Sequence, residues 1–336
     1  MFSFESIVYI FQCSEYPRGV SLVDSWDAEF ANSLGFSLKE VGFEVSRMCC
    51  SRPSCFDFAA KKAEKTVLIK IHSDVDSFSM GDSHELRVIA GRIQAAPLLI
   101  SKKAHDNPLE DDTVYSRYGV YVITEKTLRN TGQEAAEPLI NAGPGGYFVR
   151  IDGSLVEHRR KEMGLSIGRL ADMIGVSRRT LYGYERSMAK ASVTSAYNLA
   201  NVLGVPVAKP VDLFEKARKQ RECLIVKAKR AIARQVLLQK VFRKFAFCDI
   251  SPFQKAPFDF ILNIPDEEYV IIGGVAEKHE KCIDIRAEEI LSVCQVIKAY
   301  PVLITEKHEP CNKDLLCFCV DDLAEMQSPE DLIVSV

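Results

Sequence analysis

A short run of basic side chains in the middle of the chain has chemistry that could read DNA. Arg178 and Arg179 are adjacent, and a guanidinium group can donate two hydrogen bonds to O6 and N7 of one guanine. The residues predicted to contact DNA are Ser166, Ser177, Arg178, Arg179, Thr180, Tyr182 and Arg186. The alternative is a small helical bundle whose basic face is only solvated.

Short helices must position these side chains. Apolar residues recur at the helical period before the arginines, at Ile167, Leu170, Ala171 and Ile174. Ser166 can cap their helix, and Gly175-Val176-Ser177 reads as a turn. The next helix is predicted from about Arg178 to Arg186, with Leu181 and Tyr184 pointing inward. Two helices joined by a three-residue turn form a helix-turn-helix pattern, whose second helix can enter the major groove.

The whole run GLSIGRLADMIGVSRRTLYGYERS, followed by a closing helix that ends LANVLGV, resembles the Cro/repressor (XRE) type of helix-turn-helix family. The resemblance implies base reading by Arg178, Arg179, Thr180 and Tyr182. It also implies that Glu185 is the family's buried, bracing glutamate. Two positions depart from the family pattern, because Ile167 replaces a phosphate-contacting glutamine and Ser187 replaces the glycine that usually follows the recognition helix.

Charge is distributed unevenly along the chain, although the formal net charge is only −3. Residues 1–149 carry 15 Lys and Arg against 20 Asp and Glu, residues 150–244 carry 21 against 8, and residues 245–336 carry 7 against 18. A basic middle between two acidic ends predicts that the middle faces a polyanion. The basic stretch 212–244 is predicted to be helical, and it either lies along phosphates or serves as a connector or dimer helix.

The two flanks of this middle segment resemble each other. Both place two phenylalanines 13 residues apart, at Phe43 and Phe56 and at Phe245 and Phe258. Both later place a glutamate 12 residues before a proline, at Glu85 and Pro97 and at Glu289 and Pro301. The patterns between these marks predict helix, three strands, helix and strand in each flank, which indicates an α/β layer structure.

Each flank resembles the restriction-endonuclease-like fold of archaeal Holliday-junction resolvases. Active members of that superfamily hold Mg²⁺ with an Asp on one strand and a Glu-x-Lys on the next, and the lysine helps to activate water. In the first flank Asp57 and Lys70 fit, but Leu68 stands where the glutamate belongs. In the second flank Asp259 remains, and Ile271 and Gly273 are expected to replace the other two residues. We therefore expect no catalytic residues, no bound metal and no nuclease activity.

The predicted fold class is mixed, with an all-α Cro-type domain inserted between two repeated α/β domains. The predicted domains are 1–135 (α/β, degenerate nuclease-like), 136–151 (linker), 152–207 (helix-turn-helix), 208–244 (basic connector helices) and 245–336 (the second α/β copy). Gly143-Pro144-Gly145-Gly146 is not followed by a phosphate-loop Lys-Ser/Thr, so it is interpreted as a turn in the linker.

The 11 cysteines form no regular framework, which favours a reducing cytoplasm. His308, Cys311, Cys317 and Cys319 cluster near the end of the sequence and could suit zinc, but small core cysteines are the favoured interpretation. Cys49, Cys50 and Cys55 are interpreted in the same way. No signal peptide and no transmembrane helix are expected, since no apolar run approaches the length that spans a bilayer.

Over almost its full length the chain resembles a set of archaeal proteins described as HTH-type transcriptional regulators. The predicted function is a cytoplasmic, sequence-specific regulator that binds double-stranded DNA as a homodimer, without a cofactor, and with an effector that the sequence does not identify. The flanks are predicted to serve as dimerisation or sensing domains. One alternative is a nuclease or junction-processing protein that uses the flanks. Another is a structural protein, such as a chromatin-associated or toxin-antidote protein, whose DNA binding is incidental.

Overall fold

The computed structural model describes residues 25–133, 137–218, 236–264, 269–276, 282–306, 315–326 and 328–334. The first flank contains α1 (Ser25–Glu40), β1 (Glu44–Val45), β2 (Phe58–Lys62), β3 (Lys65–Ile71), α2 (Met80–Arg92), β4 (Ala96–Ile100), the small pair β5 (Lys103–Ala104) and β6 (Asn107–Pro108), β7 (Thr113–Arg117), β8 (Val120–Ile123) and α3 (Glu125–Gly132). Its main strands lie in the order β1-β2-β3-β4-β8-β7.

The apolar run in β3 is explained by two layers of helix. Val67 and Ile69 belong to the core that contains Leu34 of α1, whereas Leu68 belongs to the core that contains Leu86 of α2. Successive side chains of a strand point to opposite faces, so a strand covered on both faces is apolar throughout. The parallel pairing of β3 with β4 requires a crossover connection, which α2 provides.

The middle segment contains β9 (Ile140–Gly143), β10 (Gly146–Ile151), α4 (Gly153–Glu162), α5 (Ile167–Ile174), α6 (Arg178–Glu185), β11 (Ala191–Ser192), α7 (Val193–Leu203) and β12 (Ala208–Lys209). Its four helices enclose a core of buried side chains that includes Val156, Leu170, Leu181 and Leu199. The predicted helix-turn-helix is confirmed, with α5 and α6 separated by Gly175-Val176-Ser177.

Strands occupy most of the segment that the sequence suggested was a linker. β9 pairs in parallel with β7 of the first flank, and β10 pairs with β9, β11 and β12. The predicted turn at 143–146 connects β9 to β10, and Gly145 and Gly146 have φ values of +91° and +127°, which favour glycine. The helical domain is therefore joined to the sheet of the first flank by a continuous ribbon of strands.

The second flank contains α8 (Val236–Lys244), β13 (Asp249–Pro252), β14 (Phe260–Asn263), β15 (Val270–Ala276), α9 (Ile283–Ile297), β16 (Tyr300–Thr305), β17 (Leu316–Cys319), α10 (Asp322–Glu325) and α11 (Asp331–Val334). Its strand order is β13-β14-β15-β16-β17, with antiparallel pairs up to β15 and parallel pairs after it. The strands β1-β2-β3-β4-β8 have the same sequence of antiparallel and parallel pairs.

The two flanks pack directly on each other. One buried cluster contains Phe56, Leu86 and Ile89 from the first flank together with Phe258 and Ile290 from the second. The rings of Phe56 and Phe258 have centroids 6.2 Å apart. A shared core of this kind fixes the two flanks relative to each other, because separating them would expose large aromatic and aliphatic side chains to water.

Residues 210–218, which leave the helical domain, are not helical, so the helix predicted to begin at 212 does not begin there. Val211, Leu213 and Phe214 are instead buried in the α1-side core of the first flank. Residues 219–235 of the predicted basic stretch lie outside the described residues, and α8 covers its end. Across the described ranges no helix is both long and apolar enough to cross a membrane.

Candidate functional site

The N-terminus of α6 is fixed by its own serine. Ser177 is the N-cap, and its Oγ accepts a hydrogen bond from the Thr180 backbone N–H at 3.0 Å. The hydroxyl groups of Ser177 and Thr180 are also hydrogen-bonded at 2.8 Å. Ser166 caps α5 in the same way, accepting from the Arg169 N–H at 3.1 Å. Both predicted caps are confirmed, and each leaves other N–H groups of its first turn without a partner inside the helix.

One face of α6 is buried and the other is open. Leu181 and Tyr184 are buried in the core of the helical domain, as predicted. Arg178, Arg179, Tyr182 and Arg186 are all exposed. The helix therefore presents three guanidinium groups and a phenol to solvent from a rigid scaffold, which is the arrangement required of a helix that reads base edges.

The exposed residues of α6 share a shallow, open groove with α5. The groove is lined by Ser166, Ile167, Gly168, Arg169, Asp172, Arg178, Arg179 and Tyr182. Arg178 lies across α5 at Gly168, where an added Cβ would be only 2.8 Å from Arg178 Nε. The guanidinium of Arg186 lies 5.6 Å from the centre of the Tyr182 ring. Four of the seven predicted contact residues thus line this groove, and Arg186 lies beside one of them, Tyr182. Ser177 is exposed and Thr180 is half-buried at the start of α6.

A buried ion pair fixes the end of α6. Arg160 of α4 donates from Nε to Glu185 Oε1 at 2.5 Å and from Nη2 to Glu185 Oε2 at 3.0 Å. Its Nη1 donates to the Leu165 carbonyl at 2.8 Å. The hydrogen bonds to Glu185 raise the pKa of Arg160. Glu185 is therefore buried, as the family resemblance implied, and its partner Arg160 was missed because sequence spacing does not show which cation faces a carboxylate in another helix.

The contact between α4 and α6 is close enough to require glycine. A Cβ at Gly153 would lie 2.3 Å from the Glu185 carbonyl oxygen and 2.4 Å from that of Tyr184. After α6, Ser187 adopts φ = +54°, the left-handed region that the family's usual glycine adopts without a steric penalty. Its N–H donates to the Tyr184 carbonyl at 3.0 Å, so the helix ends in the expected turn despite the side chain.

Asp57 of the first flank is neutralised within its own domain. Lys70 Nζ donates to Asp57 Oδ1 at 2.8 Å, and the Ile71 N–H donates to Oδ2 at 2.7 Å. Burial lowers the pKa of Lys70, but the charge of Asp57 and the hydrogen bond to it outweigh that effect and raise the pKa. Leu68, in the position expected for the glutamate, is completely buried.

The register of the second flank differs from the sequence expectation. Val275 N–H donates to Asp259 Oδ2 at 2.6 Å, just as Ile71 N–H donates to Asp57. The residue preceding Val275 is Gly274, so Gly274 and not Gly273 occupies the position of Lys70. By the same register Ile272, rather than Ile271, corresponds to Leu68.

Two arginines replace the missing lysine at Asp259. Arg52, from the first flank, donates from Nη1 to Asp259 Oδ1 at 2.8 Å, and Arg286 of α9 pairs with Oδ2. A Cβ at Gly274 would lie 2.8 Å from Ile290 Cδ1 and 3.0 Å from Leu303 Cδ1, so packing of the core around this strand favours glycine there. Burial raises the pKa of Asp259, but the charges of Arg286 and Arg52 outweigh it and lower the pKa. Sequence reasoning missed both arginines, although loss of the lysine was a signal that another cation was needed.

The remaining candidate sites are cysteines. Burial raises the pKa of the Cys49 and Cys55 thiols well above the ordinary value, which makes them unreactive. Cys319 is buried and free. Cys317 is disulfide-bonded, which neither the interpretation as a small core cysteine nor the expectation of a reducing cytoplasm predicted; His308 and Cys311 lie outside the described residues. Among the residues that the structure describes, no three His, Cys, Asp or Glu side chains are grouped to hold a metal ion.

Family models match two parts of the chain. Residues 28–138 match the PD-(D/E)XK superfamily domain, and residues 156–209 match a helix-turn-helix model. The first match agrees with the α/β fold around Asp57, and the second with the four-helix domain that carries α6.

Relatives cover most of the chain. A protein of Methanocaldococcus jannaschii, named "Putative HTH-type transcriptional regulatory protein", is 32% identical over 287 residues, covering 83% of this chain and 87% of its own. A relative of the same name from Methanococcus maripaludis is 31% identical and covers 86% and 92%. One from Haloquadratum walsbyi is 40% identical over 55% of this chain and 57% of its own. A solved structure of a SinR protein/SinI protein complex is 26% identical over 29% of this chain and 92% of that one, with a TM-score of 0.16.

Proposed function

Because the chain belongs to the family of archaeal helix-turn-helix-type transcriptional regulatory proteins, we propose that it binds specific double-stranded DNA sites through α6 and thereby regulates transcription. The observation that carries this proposal is the division of α6 into a buried face and an exposed, basic face. Leu181, Tyr184 and Glu185 hold the helix in place, and its first residues, Arg178 and Arg179, are free to enter the major groove.

Each residue predicted to contact DNA has a proposed role that fits its chemistry. Arg178 and Arg179 read base edges, where a guanidinium suits guanine. In this proposal Thr180 and Tyr182 contact the neighbouring bases, and Arg186 pairs with phosphate. The capped N-termini of α5 and α6, at Ser166 and Ser177, add N–H groups and a positive dipole end that favour phosphate oxygens.

We propose that the helix-turn-helix domain is inserted between two copies of one nuclease-like domain. The matching order of antiparallel and parallel strands supports this arrangement. Further support comes from Asp57 and Asp259, each of which accepts a hydrogen bond from the second strand of its hairpin. The domain boundaries follow: 1–135, the ribbon-containing segment 136–151, 152–207, 208–244 and 245–336.

The flanks in this proposal do not cut DNA. A metal-dependent nuclease needs acidic ligands for Mg²⁺ beside the scissile phosphate. Asp57 is bound to Lys70, Asp259 is bound to Arg52 and Arg286, and the neighbouring glutamate position is aliphatic in both flanks. The flanks instead form a rigid base that holds the DNA-binding domain, acting in the cytoplasm without a cofactor.

We also propose that the protein binds DNA as a homodimer. One Cro-type module reads only a few base pairs, and two modules related by a two-fold axis would read half-sites about 34 Å apart. Since the flanks of one chain already cover each other through the Phe56 and Phe258 cluster, the contact between two chains would use another surface. Light scattering of the complex with DNA tests this, and one chain per specifically bound site would contradict it.

The central experiment selects binding sites from a random duplex library, followed by mapping of binding across a genome. We expect one enriched, pseudo-palindromic motif that is also protected in footprinting and located near promoters. Equal retention of all sequences would contradict sequence-specific regulation and would favour the alternative of a structural protein that coats DNA.

A further inference from the structure

A cleft in the first flank borders both chain connections of the DNA-binding domain. It has a volume of about 280 Å³ and is lined by Arg87, Pro97, Ser116, Gly119, Tyr121, Leu213, Glu215, Lys216, Ala217 and Arg218. Tyr121 lies beside the entering strand, since its hydroxyl accepts a hydrogen bond from Arg150 of β10 at 3.4 Å. Residues 213–218 belong to the segment that leaves the domain. A volume of this size suits a small molecule rather than a macromolecule.

The walls of the cleft are fixed in place. The Ala217 N–H donates to the Ala95 carbonyl at 2.9 Å, and the Val211 N–H donates to the Pro138 carbonyl at 2.8 Å. Leu213 and Phe214 are buried between these two bonds, so the departing segment is held against the sheet at both ends. The cleft is therefore preformed, which favours binding because its walls lose little conformational entropy when a ligand enters.

The charge of the lining selects for anions. Arg87, Lys216 and Arg218 provide three cations, whereas Glu215 is the one carboxylate in the lining. Arg87 comes from residues 1–149, which carry 15 basic against 20 acidic side chains, whereas Lys216 and Arg218 come from the basic segment 150–244, which carries 21 against 8. Arg87 also packs over Gly119, where a Cβ would lie 3.1 Å from Nη1, so its guanidinium is held beside the cleft. The hydroxyls of Ser116 and Tyr121 add hydrogen-bonding groups, and Pro97 and Leu213 add an apolar wall.

We infer that this cleft binds a small anionic effector, carrying a phosphate or carboxylate group, that alters the DNA affinity of the α6 surface. The regulatory half of this inference rests on the proposed function. A ligand bridging Arg87 to Lys216 and Arg218 would tighten the departing segment against the sheet and would contact Tyr121, the partner of β10. It would thereby act on both connections that orient the helical domain.

The test uses calorimetric titration of the full chain with inorganic pyrophosphate and, separately, with citrate, which distinguishes phosphate from carboxylate chemistry. We expect one saturable site for at least one probe. Arg87→Ala and Arg218→Ala should each weaken binding by about tenfold, as expected for loss of one hydrogen bond to a charged group. The control is Lys39→Ala, which removes an exposed cation of α1 away from the cleft. No saturable binding of either probe, or equal binding by all variants, would overturn the site.

DNA affinity is then measured by fluorescence anisotropy with and without the bound probe. A change of several-fold in wild type that disappears in Arg87→Ala supports regulation, while unchanged affinity at saturating probe overturns it. Failure of the proposed function would look different. In that case the wild type would bind no DNA specifically, but calorimetry would still detect the anion and its dependence on Arg87.

Discussion

Arg160 and Glu185 form a two-bond ion pair, almost completely removed from solvent, between the first helix of the DNA-binding domain and the end of α6. Their positions are 25 residues apart in the chain. The pair fixes the orientation of α6 relative to α4. Arg160 also donates a hydrogen bond to the Leu165 carbonyl, just before α5, so the same guanidinium connects all three helices. The exposed face of α6 that we propose to bind DNA is thus oriented by a buried ion pair that is not part of that face.

Removing one partner of this pair should destabilise the domain strongly. Glu185→Ala would leave Arg160 buried without its counter-charge, and the expected loss is about 3–5 kcal/mol of unfolding free energy. Denaturant-induced unfolding measures it. Glu157→Ala is the matched control, since it breaks the exposed pair of Glu157 with Lys161 and should cost about 0–1 kcal/mol. Similar losses in the two variants would contradict a bracing role for Glu185.

The arginines that begin α6 should govern sequence preference. Arg178→Ala or Arg179→Ala should weaken binding to the selected site by about 1–3 kcal/mol, because each removes a contact to a base. Binding to unrelated duplex should weaken less. Anisotropy titrations on both duplexes measure the two effects, and Lys39→Ala serves as a charge-matched control. If both arginine variants bind the selected site like wild type, α6 is not the reading helix.

Asp259 should make stability depend on acidic pH. Its pKa is lowered in the folded protein, so the stability it contributes is complete above the unfolded value of about 3.9 and is lost as pH falls through the folded value. Asp259→Asn should therefore be much less stable than wild type at pH 7, with a difference that shrinks below about pH 4.

Unfolding curves recorded between pH 7 and pH 3 measure this difference. Asp106→Asn is the control, because Asp106 is exposed and pairs with Lys103 at the surface; it should change stability little at any pH. A difference between Asp259→Asn and wild type that stays constant down to pH 3 would show that the charge of Asp259 is not what Arg52 and Arg286 recognise.

Incubation with DNA and Mg²⁺ or Mn²⁺ should give no cleavage of duplex, single-stranded or four-way-junction substrates. The reason is that Asp57 is engaged by Lys70, and Leu68 offers no oxygen for a metal. Gel electrophoresis of the products measures the outcome. Cleavage that is abolished by Asp57→Ala would establish the nuclease alternative and contradict the proposal that the flanks do not cut DNA.

The sequence by itself determined the helices of the DNA-binding domain. The helical period, the caps Ser166 and Ser177 and the turn at Gly175 are local features, and they placed α6 at Arg178–Glu185 within one residue of its predicted end. The alternation of strands and helices in the flanks could also be predicted, because the spacing of apolar residues that distinguishes them is a local property of the sequence.

Only the tertiary structure decided what those elements contact. Asp259 lies 16 residues before the N–H that it binds, whereas Asp57 lies 14 residues before its own, and hydrophobic pattern does not fix the loop length that causes this shift in register. Arg52 reaches Asp259 across 207 residues of sequence. The segment predicted to be a linker became a ribbon of strands because β7 offered β9 an edge to pair with. Partners so distant in the chain are brought together by packing and hydrogen bonding of the whole fold, which no local pattern records.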